Sequence, residues 1–205
     1  MLINLFFALI ACSPESENHS DMPTTAFDDL ADTGNGQAHV LHFLPHAADG
    51  LSVEQVEPSR YLGLWYEVAT TPSPQRDFCS GTMAEYSLIS EEKIGVTNRC
   101  YVGDLNGELN EVQATARPLD DTFARLMVDF GYGFESPYTV VELVQTAGQA
   151  EYTYATVSNN DVQLWILSRT AQMPTDVYDE LLARLDIRYE SASRLTKTEQ
   201  PRPSE

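Results

Sequence analysis

Histidine, the residue type that most often performs acid–base catalysis, is confined to one part of this chain. The four histidines, His19, His39, His42 and His46, all lie in the first quarter of the sequence. The remainder therefore offers no imidazole that could activate a serine or cysteine nucleophile. The chain also lacks a GxSxG elbow, an HExxH pair, a CxxC pair and a glycine-rich phosphate loop. These patterns predict a protein that is not an enzyme.

Three of these histidines could instead bind a metal ion. His39, His42 and His46 have the spacing i, i+3, i+7, so they would share one face of a helix, and with Asp49 they could coordinate zinc. Pro45 would interrupt such a helix. We therefore predict no metal site and no cofactor, and zinc binding by this cluster stays open as the alternative.

The N-terminus reads MLINLFFALIACSPESENHS. Its first ten residues are almost all apolar, which is too short for a bilayer span but typical of the central region of a secretory signal. The sequence that ends at Cys12 resembles a bacterial lipobox, whose cysteine is acylated and anchors the mature protein in a membrane. By the sorting rule for such lipoproteins, Ser13 favours the outer membrane, facing the periplasm. An ordinary cleaved signal peptide with an incidental cysteine is the alternative.

The chain has three cysteines, Cys12, Cys79 and Cys100. Acylation of the first would leave an even pair in an oxidising compartment, where a disulfide is expected. A disulfide that closes a loop of about twenty residues stabilises a fold by roughly 3 kcal/mol. In the hairpin predicted around them the two cysteines differ in parity, so the bridge requires a bulge near Ser80 and Gly81. Two buried free thiols are the alternative.

Charge divides the chain into segments. The net charge is −19, which disfavours nucleic acid as a partner. No lysine or arginine precedes Arg60. We predict a signal peptide over 1–11, an acidic and mostly disordered linker over 12–55, a folded domain over 56–200 and a tail over 201–205. One part of the linker, residues 38–49, is apolar enough to dock on the domain.

Short apolar or alternating runs recur after Val56 and are separated by turn residues. Because no helices lie between them, these runs predict an antiparallel, all-β fold, and eight strands in hairpin succession favour an up-and-down barrel. One helix follows, over about 173–185, and a final extended segment could lie over 187–195. The predicted strands cover 64–71, 80–89, 93–102, 109–117, 122–130, 137–145, 151–158 and 162–169.

The helix should pack against the outside of the sheet. Val177, Leu181 and Leu185 fall at i, i+4 and i+8 and form one apolar stripe. Thr175 or Asp176 can cap its start.

Five ordered segments resemble lipocalins, in particular the bacterial and apolipoprotein-D-like branch. They begin with Gly63-x-Trp65 in RYLGLWYEVA and continue with AEYSL followed by VTNR, TFARLMVDF, PYTVVEL and LWILSRT. Together they span about residues 56–200. The resemblance implies an eight-stranded barrel in which Trp65 packs under the guanidinium of Arg169 and closes one end.

A barrel closed at one end would leave a cup for a small hydrophobic ligand. The resemblance implies a fatty acid, a lysophospholipid or a similar amphiphile. Candidate lining residues are Tyr86, Val96, Asn98, Met127 and Tyr138, unless these side chains simply fill the barrel.

Three basic residues, Arg76, Arg117 and Arg125, could contact a charged ligand group or could be solvated surface charges.

Three classes of function remain from the sequence. The first is a lipid-binding lipoprotein of the bacterial envelope that stores or transports its ligand. The second is an envelope scaffold that binds no ligand and predicts a filled barrel with an exposed apolar patch outside. The third is a lipocalin-fold enzyme or pigment binder, which requires titratable groups that converge inside the barrel.

Overall fold

The computed structural model describes residues 40–73, 78–131, 133–160 and 163–201. The elements in these ranges are β1 (Leu41–Phe43), α1 (Pro58–Tyr61), β2 (Gly63–Thr70), β3 (Cys79–Ser90), β4 (Lys93–Val102), β5 (Leu109–Pro118), β6 (Arg125–Asp129), β7 (Glu135–Thr146), β8 (Tyr154–Ser158), β9 (Leu164–Ser168), α2 (Thr175–Asp186), a 3₁₀ helix (Glu190–Arg194) and β10 (Thr196–Lys197).

Strands β2 to β9 form a closed antiparallel barrel. Each pairs with the next along the chain, and β9 returns to pair with β2. The predicted eight-stranded, all-β barrel with one helix outside it is therefore confirmed. The strand that was expected from residue 122 begins at Arg125, because Asp120 accepts a hydrogen bond from the Thr122 amide at 3.0 Å and holds a turn there.

The barrel has two different ends. At one end, which we call the floor, β2 begins and β3 turns into β4, and Trp65 lies there with no exposed surface. At the other end, the mouth, β2 ends and β4 turns into β5. Because successive strands run in opposite directions, the remaining connections alternate between the floor and the mouth.

Two apolar cores lie on opposite sides of the barrel wall. The interior core includes Trp65, Val96 and Leu143. The outer core lies between the wall and α2, and Val177, Leu181 and Leu185 of that helix are completely buried in it. The helix therefore packs through its predicted apolar stripe. The cap predicted from Thr175 or Asp176 is not formed, because the N-cap residue is Pro174 and no side chain makes a capping hydrogen bond.

Residues 40–55 are an integral part of the barrel domain, whereas a mostly disordered linker was predicted to residue 55. The docking expected for residues 38–49 agrees with the pairing of β1. β1 pairs with the end of β7 that β6 leaves unpaired, from Leu41 opposite Thr146 to Phe43 opposite Val144. Val53 is completely buried in the interior core, and its amide donates to the Val140 carbonyl at 2.9 Å. The acidic composition of this segment concealed the few apolar side chains that attach it.

A buried carboxylate also fixes this N-terminal segment. Glu142 in β7 is 1 % exposed, and its Oε1 accepts a hydrogen bond from Arg188, which follows α2. Nε2 of His46 lies 3.1 Å from the same oxygen. Because an unpaired buried charge is strongly destabilising, this cluster ties the segment, the wall and the end of the helix together.

The final extended segment forms later than predicted. A 3₁₀ helix occupies most of the predicted range, and the two-residue β10 pairs with Ala69 and Thr70 where β2 has separated from β3. None of the helices in the described ranges is long and apolar enough to cross a bilayer.

Candidate functional site

The floor is closed by an indole and a guanidinium. The Arg169 Cζ atom lies 4.0 Å from the centroid of the Trp65 ring. Arg169 also donates hydrogen bonds to the backbone carbonyls of Leu64, Arg60, Tyr61 and Tyr152 at 2.9–3.1 Å. These carbonyls hold the guanidinium over the indole, so both predicted partners meet at the predicted end of the barrel.

Gly63 begins β2 beside the guanidinium of Arg169. Its φ angle is +96°, a conformation that glycine adopts without strain. A Cβ atom at this position would lie 3.4 Å from Arg169 Nη1. The GxW motif therefore requires its glycine for backbone conformation more than for space.

Three tyrosine hydroxyls meet inside the barrel above Trp65. The Tyr138 hydroxyl lies 2.6 Å from that of Tyr61 and 3.0 Å from that of Tyr86. Burial raises the pKa of Tyr86 to about 12 and raises the pKa values of Tyr61 and Tyr138 well above the usual value. The three hydroxyls, which we call the tyrosine cluster, are therefore neutral at any physiological pH.

Four of the five predicted lining residues share the inner face. Tyr86 pairs with Val96, and both are buried in the interior core. Asn98 lies two residues further along β4 and pairs with Ala84, which packs against that core. Tyr138 pairs with the buried Leu126. Directly opposed residues of an antiparallel pair project to the same side of a sheet.

Met127 lies on the outer face instead. It stands between Leu126 and Val128, which both belong to the interior core, and it pairs with Arg117. Neighbouring residues in a strand point to opposite faces, so the prediction for Met127 was one position out of register. Arg125 and Asp129 share the outer face with Met127, so the run RLMVD does alternate, and only the apolar character of Met127 obscured this.

Solvent reaches the inner face from the mouth. Near the floor the inner side chains are closed off, with Trp65 at 0 % and Leu126 at 4 % exposure. Nearer the mouth, Asn98, Val112 and Ser136 are partly exposed although their register places them inside. We call the inner face of the barrel between Trp65 and the mouth, to which these residues belong, the calyx. At the floor end, beside Tyr61 and Tyr86, lies a cavity of about 20 Å³, which has room for one water rather than a ligand.

Glu67 is an inner-face residue that the sequence analysis missed. It pairs with Leu167 of the interior core and is 4 % exposed. Thr198 donates a hydrogen bond to its Oε1 at 2.7 Å. The alternation Trp65-x-Glu67 was available in the sequence as a signal, but a carboxylate next to an apolar run resembles a surface residue.

The two described arginines that were considered as ligand partners lie on the outside. Arg117 forms an ion pair with Glu135 at 3.6 Å, and Arg125 forms one with Asp49 at 2.6 Å. Arg76 and the acylation candidate Cys12 lie outside the described residues.

Cys79 and Cys100 form a disulfide at the mouth end of β3 and β4. Ser80 pairs with Tyr101 but Met83 pairs with Arg99, so Gly81 and Thr82 both lie opposite Cys100. This irregularity is the bulge that the parity of the two cysteines required.

The helix that zinc binding by the three histidines would require does not form. Leu41–Phe43 is a strand, and His46 contacts Glu142, while His39 lies outside the described residues. Among the described residues, no group of three or more His, Cys, Asp or Glu side chains is arranged to hold a metal ion.

A groove of about 250 Å³ lies outside the barrel, between the start of α2 and β10. It is lined by polar side chains such as Gln172, Lys197 and Glu199. Lys197 pairs with Ala69, an outer-core residue, so this groove is on the outer face and separate from the calyx.

Comparison with known proteins agrees with this geometry. Residues 56–200 match the model of the lipocalin-like domain, and this chain belongs to the lipocalin family. It is 38 % identical to the lipocalin-named protein R877 of Acanthamoeba polyphaga mimivirus, over 65 % of this chain and 79 % of that protein. It is 33 % identical to the outer membrane lipoprotein Blc of Vibrio cholerae, over 72 % and 85 %, and 29 % identical to apolipoprotein D of Macaca fascicularis, over 72 % and 78 %.

Solved structures support the fold. Insecticyanin from the tobacco hornworm superposes with a TM-score of 0.59 at 18 % identity, over 80 % of this chain and 90 % of that one. The family match and the bacterial lipoprotein and apolipoprotein D relatives confirm the resemblance to the bacterial and apolipoprotein-D-like branch. Membership of this family supports binding of a small hydrophobic ligand.

Proposed function

We propose that this protein holds a long-chain amphiphile, of the fatty acid or lysophospholipid kind, in its calyx for storage or transport. The observation that carries the proposal is the combination of a sealed floor at Trp65 with inner-face residues that solvent reaches through the mouth. Such a space would surround the alkyl chain with apolar side chains and leave the ligand one route of exchange.

We place the protein in the bacterial envelope. Its relatives include outer membrane lipoproteins, and the chain carries the lipobox-like sequence that ends at Cys12. Acylation of this cysteine would anchor the protein in the outer membrane, facing the periplasm. Native mass spectrometry of the full chain extracted from membranes tests this, because a Cys12→Ser variant should lose the acyl mass.

Binding rather than catalysis suits the inner face. The groups that converge there in the described residues are tyrosine hydroxyls, the Asn98 amide and the Glu67 carboxylate, with no imidazole or free thiol to act as base or nucleophile. The disulfide occupies both cysteines that the structure describes.

The calyx can be tested by blocking it from inside. The parent protein should bind the fluorescent apolar probe N-phenyl-1-naphthylamine saturably and release it when palmitate or lysophosphatidylcholine is added. Asn98→Trp would fill the inner face, and we expect at least a tenfold loss of probe affinity, or about 1.4 kcal/mol.

Thr97→Trp is the matched control, because the neighbouring side chain points to the outer face. It should leave probe affinity unchanged at an unchanged melting temperature. Absence of saturable binding by the parent, or equal losses in both variants, would remove the calyx as a binding site and favour the scaffold alternative.

A further inference from the structure

An exposed apolar patch lies at the mouth of the barrel. Its members are Phe78, Val102 and Leu109, whose exposed fractions lie between 45 and 49 %. They stand on three neighbouring strands, because Phe78 precedes β3, Val102 ends β4 and Leu109 begins β5. Val102 pairs with Cys79, which follows Phe78, and Leu109 pairs with the residue before Val102. These three side chains, which we call the mouth patch, therefore form one surface that water covers in the free protein.

A second loop at the mouth adds aromatic residues. Residues 130–134 join β6 to β7 and read FGYGF, without a charged side chain. Phe130 and Phe134 are partly exposed, and the Phe130 amide donates to the Phe134 carbonyl at 2.9 Å. Aromatic side chains are enriched where proteins meet the membrane–water interface. The composition of this end of the barrel is therefore suited to a lipid surface.

The charges near the mouth distinguish a lipid surface from a second copy of the chain. The described parts of the mouth loops contain no lysine or arginine, whereas Asp104 and Glu108 are exposed. Two copies that met mouth to mouth would bring these carboxylates together, and each chain carries a net charge of −19. A zwitterionic phospholipid has no net charge, so it can cover the mouth patch without this repulsion.

The length of the N-terminal segment lets the mouth reach the membrane in which Cys12 would be anchored. About 28 residues separate Cys12 from Val40, and a chain of this length extends to about 90 Å. The Val40 carbonyl accepts a hydrogen bond from Ala147, in the floor connection between β7 and β8. β3, with 12 residues, is about 40 Å long. The mouth can therefore face the same bilayer, where the anchor raises the effective concentration of the patch.

We propose that the mouth docks on a zwitterionic phospholipid surface through the mouth patch, with residues 130–134 beside it. This goes beyond the proposed function, because docking requires neither a ligand in the calyx nor an acyl group on Cys12. Where the calyx holds an amphiphile, docking places the mouth against the bilayer that supplies or receives it.

The floor offers a matched control surface. Leu88, Ile89 and Leu119, which we call the floor patch, have exposed fractions between 48 and 58 %. They adjoin the acidic residue pairs 91–92 and 120–121 in the two floor connections. Docking here would remove water from four carboxylates, and loss of hydration from a charge is costly. The floor patch is thus as apolar as the mouth patch but should not dock.

Vesicle flotation measures the docking. The full chain carries Cys12→Ser, so that no acyl group contributes, and is mixed with phosphatidylcholine vesicles. We expect this parent to float with the vesicles, and replacement of the mouth patch by serine to weaken binding at least tenfold, because less apolar surface is buried. Replacement of the floor patch should leave binding within twofold of the parent. The two triple variants are Phe78→Ser with Val102→Ser and Leu109→Ser, and Leu88→Ser with Ile89→Ser and Leu119→Ser.

Two single tryptophans give a second measurement that leaves both patches largely intact. Leu109 and Leu119 are 49 % and 48 % exposed, at opposite ends of the barrel. Brominated phosphatidylcholine quenches a tryptophan that contacts its acyl chains. It should quench at least half of the fluorescence that Leu109→Trp adds to the parent, and little of that added by Leu119→Trp. Phosphatidylglycerol in the vesicles should weaken binding, because protein and lipid are then both negative.

Several results would overturn the docking. These are no flotation of the parent, equal losses in the two triple variants, equal quenching at the two tryptophans, or binding that requires phosphatidylglycerol. A concentration-dependent dimer in sedimentation velocity that only the mouth variant abolishes, without vesicle binding, would assign the patch to a second copy instead. Titration with N-phenyl-1-naphthylamine tests the calyx separately. Saturable probe binding without flotation refutes the docking alone, and flotation without probe binding refutes the proposed function alone.

Discussion

Replacing Trp65 by alanine tests whether the floor holds the barrel together. The side chain has no exposed surface, and its Nε1 donates to the Tyr61 carbonyl at 2.8 Å. The ring also contacts Arg169 at 4.0 Å and the Tyr61 ring at 5.1 Å between centroids. The substitution therefore removes apolar burial, one hydrogen bond and a cation–π contact at a single position.

The expected loss can be worked out from these contacts. A buried tryptophan removes about 200 Å² from water, and at about 25 cal/mol per Å² this gives roughly 5 kcal/mol as an upper bound. The cation–π contact adds about 1–2 kcal/mol, and partial collapse around the cavity offsets some of the loss. We expect a decrease of about 3–5 kcal/mol in the free energy of unfolding. For a domain of this size that lowers the melting temperature by roughly 6–20 °C.

The chain supplies its own control in its second tryptophan. Trp165 faces the calyx near the mouth, is partly exposed, and its buried Nε1 has no hydrogen-bond partner among the described residues. Trp165→Ala should cost only about 1–3 kcal/mol, because it also removes an unsatisfied donor. Urea unfolding of both variants beside the parent measures the difference. Equal losses, or a Trp65→Ala protein that melts within about 2 °C of the parent, would refute the assignment of the floor.

Three further predictions concern the mouth and the tyrosine cluster. A variant with Cys79→Ser and Cys100→Ser should lose roughly 3 kcal/mol of unfolding free energy, and reductant should destabilise the parent by as much but leave the variant unchanged. Gly81→Ala should lower the free energy of unfolding, measured in urea, by about 1–3 kcal/mol, because its φ is +59° and a Cβ would lie 2.8 Å from a tyrosine ring carbon. Gly103→Ala is the control and should lower it by less, because its φ is +85° but a Cβ would have no neighbour within 4 Å. Burial raises the pKa of Tyr86 from 10 to about 12, so the unfolded state releases this proton first and stability should fall as the pH rises from about 10 to 12. Tyr86→Phe should flatten that decline, and an unaltered slope in unfolding experiments across this range would contradict the assignment.

Much of the barrel could be predicted because its signals are local. Period-two alternation in AEYSL and VTNR placed Tyr86, Val96 and Asn98 on one face, and the register bears this out. The spacing of Trp65 and Arg169 in two apolar runs identified the floor through the family resemblance. Hairpin succession then determined the order of the strands.

The remaining features depend on contacts that are distant in sequence. Met127 was misplaced because its own side chain is apolar, although the charged Arg125 and Asp129 share its face; its pairing with Arg117 settles the parity. Glu67 was overlooked because a carboxylate next to an apolar run resembles a surface residue, although it alternates with Trp65; residues that cover it, such as Thr198, lie far along the chain. Docking was expected only for residues 38–49 because composition averages over many residues, whereas the attachment of the segment just before Val56 depends on Val53 and a few others.

The way residues 40–55 complete the wall has a practical consequence for how the protein is produced. A recombinant chain cut at Val56 would contain all eight barrel strands and the whole region that matches the family. It would nevertheless lack the Val53 side chain beneath the interior core and the cover over Glu142. We expect the truncated barrel to have a second opening beside the floor. Ligand dissociation rates measured on it would therefore exceed those of the intact protein.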